Sequence, residues 1–112
     1  MRKEITIGDE NVAVVANAAT PFIYSKIFND DLLRGMQKDP EDVSRFIRLA
    51  FTMAKQADTS SAELMQGKVT EDDFVSWLEK YEFMDICDAT TEILSVYQAS
   101  KKGSSVPKTK AD

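Results

Sequence analysis

Residues 40–57 constrain the fold of this chain more tightly than any other stretch. Asp39-Pro40 reads as a helix cap followed by proline in the first turn, and Glu41 and Asp42 then set negative charge at the positive end of the helix. At 100° per residue, Val43, Phe46, Ile47, Leu49, Ala50, Phe51, Met53, Ala54 and Ala57 fill a continuous arc of roughly 200°, about twice the stripe a surface helix needs. Ser44, Arg45, Arg48, Thr52, Lys55 and Gln56 take the remainder. So broad an apolar face must be covered from at least two sides, which places this helix at the centre of the fold.

The flanking segments supply the cover. Ile5 and Ile7 alternate with Glu4 and Thr6 at the two-residue period of a half-buried strand. Gly8-Asp9-Glu10-Asn11 makes a turn, and Val12, Val14 and Val15 give a second, β-branched strand. A lone hairpin is marginal in water, so it must pack on helices or pair with another sheet, and its open edges can recruit a second chain. Thr20-Pro21 predicts a cap and first turn for a helix that buries Phe22, Ile23 and Ile27. Asn29-Asp30 breaks it, and Asp30 or Asp31 restarts a short helix through Leu32, Leu33 and Met36.

Residues 58–68 form a polar connection with a helical turn at Leu64 and Met65. Thr70 and Asp73 resemble a capping box ahead of a buried stripe of Phe74, Trp77, Leu78 and Tyr81. A last helix over residues 83–101 turns Ile86, Cys87, Thr90, Ile93, Leu94 and Tyr97 inward, with Asp85, Asp88 and Glu92 on the opposite side. The expected fold is α+β but mostly α: a short N-terminal β-hairpin and a bundle of four to five helices. It forms a single domain over residues 1–101, followed by a flexible basic tail over 102–112.

Composition narrows the function. A chain of 112 residues holds one domain, and 43% apolar with 29% charged residues excludes wholesale disorder. The longest apolar run, residues 12–16, falls far short of the roughly 20 residues that span a bilayer. The N-terminus does not read as a signal peptide, and Cys87 is the single cysteine, so a reducing cytoplasm is expected and no membrane. A net charge of −5 argues against nucleic acid as partner. Four lysines and one aspartate give residues 101–112 a net +3, leaving −8 on the body, a division that suits protein partners. No histidine is present, which removes the commonest general base and every imidazole metal site. Carboxylate, lysine and tyrosine chemistry is all that an enzyme would have left.

Three acidic clusters have the residue types for metal binding or acid–base work: Asp30-Asp31, Asp39 with Glu41-Asp42, and Glu71-Asp72-Asp73. Each lies where a helix begins, so capping is the stronger explanation, and none has the alternating ligands of a calcium loop. The four glycines, Gly8, Gly35, Gly67 and Gly103, are too far apart to cradle a phosphate. Cys87 reads as a small apolar residue with no imidazole to activate it. No catalytic residue, cofactor or metal is expected.

The candidate partner-binding residues are surface features. Tyr24 falls off its helix's main stripe and is expected to face outward, with Phe22 and Phe28 in the core. Leu49 and Phe51 belong to the over-wide arc, which offers apolar surface that a chaperone of helices could present. Asp85, Asp88 and Glu92 form an acidic ridge suited to a basic partner, although a solvated helix face has the same pattern. Lys101 and Lys102 begin the tail, an electrostatic handle or a solubilising end. Met36, Met65 and Met84 suit adaptable binding, whereas Met53 reads as core.

A family resemblance runs through the same residues. After the hairpin come Thr20-Pro21-Phe22-Ile23-Tyr24, then Phe28-Asn29-Asp30-Asp31-Leu32-Leu33, Met53-Ala54-Lys55-Gln56-Ala57, Phe74-Val75-Ser76-Trp77-Leu78, and an amphipathic helix with a lysine- and serine-rich end. In order and spacing, residues 3–101 resemble the small tail assembly chaperones of long-tailed phages and prophages of Gram-positive bacteria. The shared positions are caps and core sites, with no chemical signature among them. The resemblance implies a non-catalytic protein of the bacterial host's cytoplasm, bound to the tape measure protein during tail tube assembly and absent from the mature virion. Tail tube protein is a further candidate partner, and either self-association or a complex with a large coiled-coil-like partner is expected. Many such chaperones also have a frameshifted longer form, for which Lys101-Lys102, as repeated AAA codons, would suit the slippery site.

Two other classes compete. A head–tail connector or minor virion protein would be abundant in purified particles. A small acidic regulatory module, such as an antitoxin or an inhibitor of a DNA-binding protein, would lack a tape measure gene beside it.

Overall fold

β1 (Arg2–Ile7) and β2 (Glu10–Val15) pair antiparallel, with Ile5 opposite Val12 and Lys3 opposite Val14. The turn is Gly8-Asp9 alone, shorter than expected, because Gly8 takes φ 62. That positive value at the first central position is open to glycine without strain and matches the twist of the flanking strands. Ile5, Ile7 and Val14 are buried on one face, while Arg2, Glu4 and Thr6 on the other are exposed. The open end is closed by Met1, whose ammonium donates to the Ala16 carbonyl at 2.7 Å and whose carbonyl accepts the Ala16 N–H at 2.8 Å.

The computed structural model describes residues 1–102, without the side chain of Lys102. Past that residue, the expected basic tail lies outside the described residues. Six helices follow the hairpin: α1 (Thr20–Phe28), α2 (Leu32–Lys38), α3 (Val43–Asp58), α4 (Ser61–Met65), α5 (Glu71–Leu78) and α6 (Phe83–Lys102). The architecture is α+β and mostly α, as the residue pattern predicts. The turn expected at Leu64 is the additional short helix, capped by Ser60, whose hydroxyl accepts the Glu63 N–H at 3.2 Å.

α3 is central: β2, α6, α1 and α5 all pack on it. Leu49, Phe51 and Met53 are fully enclosed, and so is Thr52 from the polar arc, its hydroxyl donating to the Arg48 carbonyl at 2.9 Å. Cover therefore extends further round the helix than its apolar residues alone require. α3 starts later than Asp39-Pro40 suggests. The Asp39 carbonyl accepts the Asp42 N–H at 3.4 Å, closing a turn through Pro40, and the Asp42 carboxylate caps the helix by accepting the Ser44 N–H at 3.0 Å.

Thr20 is likewise not a cap. It is buried; its hydroxyl accepts the Asn17 N–H at 2.9 Å and donates to Gln56 Oε1 on α3 at 2.8 Å, tying the hairpin exit to the central helix. Asn29 ends α1 in the left-handed region at φ 52, and Asp31 caps α2 by accepting the Arg34 N–H at 3.0 Å. On α6 the buried face is Ile86, Ala89, Ile93, Val96 and Tyr97, with Cys87, Thr90 and Leu94 half-buried beside it.

The hairpin turn seats directly on α6, since Asp85 Oδ2 lies 2.9 Å from where a Cβ on Gly8 would stand. Gly8→Ala combines a positive φ with that close approach. It is expected to cost about 1–2 kcal/mol, read as a lower urea midpoint at unchanged slope; a midpoint at or above that of the native chain would contradict the packing.

Candidate functional site

The structure separates the candidate contact residues into two groups. Tyr24, Leu49 and Phe51 are each 0% exposed, so they are core and not partner-facing. The inversion on α1 has a simple cause. Counted from Thr20, the inward positions are Thr20, Ile23, Tyr24, Ile27 and Phe28, the i, i+3, i+4, i+7, i+8 rows of one helix face, which leaves Phe22 outside at 67% exposure. Leu49 and Phe51 are enclosed because the arc on α3 is matched by neighbours on each of its sides.

Asp88 and Lys101 are exposed, and Asp85 and Glu92 are half-buried. Asp85 and Glu92 border the buried face of α6 instead of lying opposite it, Asp88 stays on the solvent side, and among the described residues none of the three forms an ion pair. For Lys102, only the helical backbone is described.

Besides the Asn17–Thr20–Gln56 contacts, polar side chains converge where α1, α2 and α3 meet. Tyr24 donates its hydroxyl to Asp30 Oδ2 at 3.0 Å, and Arg45 Nε and Arg48 Nη2 approach the same oxygen at 3.6 and 4.0 Å. Arg45 also reaches Asp42 at 3.3 Å and donates to the Gly35 carbonyl at 3.2 Å. Gly35 has no side chain where the Arg45 guanidinium rests. Of Asp30 and Asp31, either of which could restart the helix by sequence, Asp31 is the cap and Asp30 serves as the shared anion of a structural network. Burial, reinforced by the bond to Asp30 against the opposing charge of Arg48, pushes the Tyr24 phenol up to about 12.

A row of aromatic rings leads away from this point. Tyr24 meets Phe28 at a centroid distance of 5.2 Å, Phe28 meets Phe74 at 5.1 Å, and Phe51 lies 5.3 Å from Phe74 and 5.5 Å from Trp77. Tyr81 ends the row 5.3 Å from Trp77 and donates its hydroxyl to Glu10 on β2. Burial and then the bond to Glu10 raise the Tyr81 phenol well above its usual range, and burial raises that of Tyr97. The row couples α1, α3 and α5 to the hairpin.

Among the described residues, no group of three or more carboxylates and cysteines is placed to hold a metal, and no helix is long and apolar enough to cross a membrane. Exposed apolar side chains pair up in two places, with Met1, Val43, Met65 and Val75 exposed elsewhere; Met65 and Met84 agree with the sequence reading, whereas Phe22 is expected in the core from sequence. Phe22 and Leu33 flank a shallow groove of about 340 Å³ between α1 and α2, and Phe83 and Met84 open α6 at 67% and 64% exposure. Compared with family models, curated proteins and solved structures, the chain matches none.

Core status for Leu49 and Phe51 is testable. Leu49→Ala should lose about 2–5 kcal/mol and Phe51→Ala about 3–5 kcal/mol in urea unfolding, far beyond a surface change. The tyrosines give a second test. A raised folded pKa means that the fold holds the neutral phenol, so the stability contributed by Tyr24 is whole below pH of about 10 and lost as the pH climbs through about 12. Tyrosinate absorbance should therefore stay low in the native chain at a pH near 10, where free phenol is half ionised, and rise together with alkaline unfolding.

Proposed function

We propose that this protein is a tail assembly chaperone of a long-tailed phage or prophage, binding the tape measure protein during tail tube assembly without catalysis. On this reading it works in the cytoplasm of the bacterial host and is left out of the finished virion. The ordered resemblance over residues 3–101 supports the family. The structural observation that carries the reading is apolar surface left open beside a closed core: Phe22 and Phe83 are each 67% exposed, Met84 64% and Leu33 44%. A long, helix-rich client has apolar stripes that must be shielded before assembly, and rings and a thioether at helix surfaces can meet them without a fixed register.

The test is co-expression with the tape measure protein encoded beside it. The native chain should co-purify with that protein and keep it soluble. The paired changes Phe22→Ser with Leu33→Ser, or Phe83→Ser with Met84→Ser, should cut recovery at least about tenfold while moving stability by only about 0.5 kcal/mol per position. Abundant copies in purified virions would favour a virion component in place of a chaperone.

A further inference from the structure

The parity of the hairpin ladder fixes which backbone groups it leaves over. Met1 and Ala16 exchange two hydrogen bonds, and the register then makes Lys3–Val14, Ile5–Val12 and Ile7–Glu10 the other pairs of that kind. Arg2, Glu4 and Thr6 therefore turn their N–H and C=O groups away from β2, and Asn11, Ala13 and Val15 turn theirs away from β1. The two edges are not equivalent. β2 lies along α3, the Arg2 side chain crosses to the Ala57 carbonyl at 3.4 Å, and Trp77 and Tyr81 close the far side of the groove beside Asn11 and Ala13. β1 packs on α6 through the face of Ile5 and Ile7, and its own edge is open, with Arg2, Lys3, Glu4 and Thr6 all exposed.

Donors and acceptors at this spacing call for a strand, and a second copy supplies one of matching length. Let two β1 strands run antiparallel about a twofold axis at Glu4. Arg2 then pairs with the partner's Thr6, Glu4 with the partner's Glu4 and Thr6 with the partner's Arg2, so every outward group of β1 is used. Sliding the strands by two residues leaves one of the three unpaired on each. Charges of one sign would keep such an edge apart, but Arg2, Lys3 and Glu4 mix both signs. Lys3 shares the helix side of the sheet with Ile5 and Ile7, and in this register it stands opposite the partner's Ile5. Asp85 lies against Gly8, and Glu92 stands about 10 Å further along α6, the distance that β1 covers from Gly8 back to Ile5. A lysine placed opposite Ile5 thus meets the acidic flank of Asp85 and Glu92. Among the described residues, neither those acids nor Arg2 and Lys3 form an ion pair within one copy.

We infer that two copies join edge to edge through β1 into one antiparallel four-stranded sheet, with Lys3 set between the partner's Asp85 and the partner's Glu92. Glu4 against the partner's Glu4, on the solvent side, is the one like-charged pair, and an Arg2 stands diagonal to it on each strand. The sheet gains what a lone hairpin lacks, strands on both sides of β1. The pairing does not depend on the chaperone reading and stands whatever the client is.

Sedimentation of the untagged full chain should give twice its 12.6 kDa. Glu4→Pro deletes an outward N–H without touching the hairpin ladder, and the twofold axis makes that two lost bonds per pair. Association should weaken at least about tenfold. Ala13→Pro deletes an outward N–H from β2 and should leave association unchanged. Lys3→Glu should also separate the copies, and adding Glu92→Lys should bring them back together; a double variant as weak as Lys3→Glu alone overturns the register. A native chain that stays monomeric at about 100 µM overturns the inference. A dimer that Glu4→Pro leaves intact also overturns it, because the contact then lies elsewhere. If the proline variant does not fold, amide exchange in the native chain decides. Protection of Arg2, Glu4 and Thr6 that rises with protein concentration, while Asn11 and Ala13 stay unchanged, supports the paired edge, and protection independent of concentration overturns it.

Discussion

With Leu49, Phe51, Thr52 and Met53 fully enclosed, α3 turns buried surface toward the hairpin, α6, α1 and α5, and most of those elements have no independent stability to fall back on. A two-stranded sheet is marginal alone, and α1, α2, α4 and α5 have nine, seven, five and eight residues, below the length at which an isolated helix holds. Each large side chain enclosed on α3 contributes about 1.5–3 kcal/mol relative to exposure. The domain is thus organised around the central helix: the hairpin, α1 and α5 persist by covering it, and α2 and α4 pack in turn on α1.

The acidic residues serve that arrangement more than they suggest chemistry. Asp31 and Asp42 accept from helix N-termini, and the Asp73 carboxylate accepts the Thr70 N–H at 2.8 Å. Asp30 departs from the pattern, gathering Tyr24, Arg45 and Arg48 where three helices meet. Arg45 and Arg48 come from the polar arc of α3, so even that side of the helix is put to use in packing. The cluster links the end of α1 to α3 through one carboxylate oxygen.

Much of this was legible from residue order. The hairpin, the left-handed break at Asn29, the Thr70–Asp73 pairing and the central place of α3 all follow from short-range patterns that neighbouring residues satisfy among themselves. What escaped was rotation and register. Thr20 resembled a cap but bonds to Gln56, a residue 36 positions away. Tyr24 and Phe22 exchanged places because a tyrosine can be buried when its hydroxyl has a partner, and Asp30 was not visible as that partner beforehand. Ala89 and Val96, small or β-branched, carry the inner face of α6 where Thr90 and Leu94 had been expected.

The sequence by itself determined that α3 must be surrounded, where most helices start and stop, and that imidazole chemistry is excluded. Periodicity, caps and composition are local properties, written in neighbouring side chains. Tertiary structure alone decided which side of each short helix turns inward. It also decided that Tyr24, Leu49 and Phe51 are core, and that apolar surface stays open at Phe22, Leu33, Phe83 and Met84. The physical reason is that α1 and α5 each have more apolar residues than one face can hold, and only contact with distant elements selects which are enclosed.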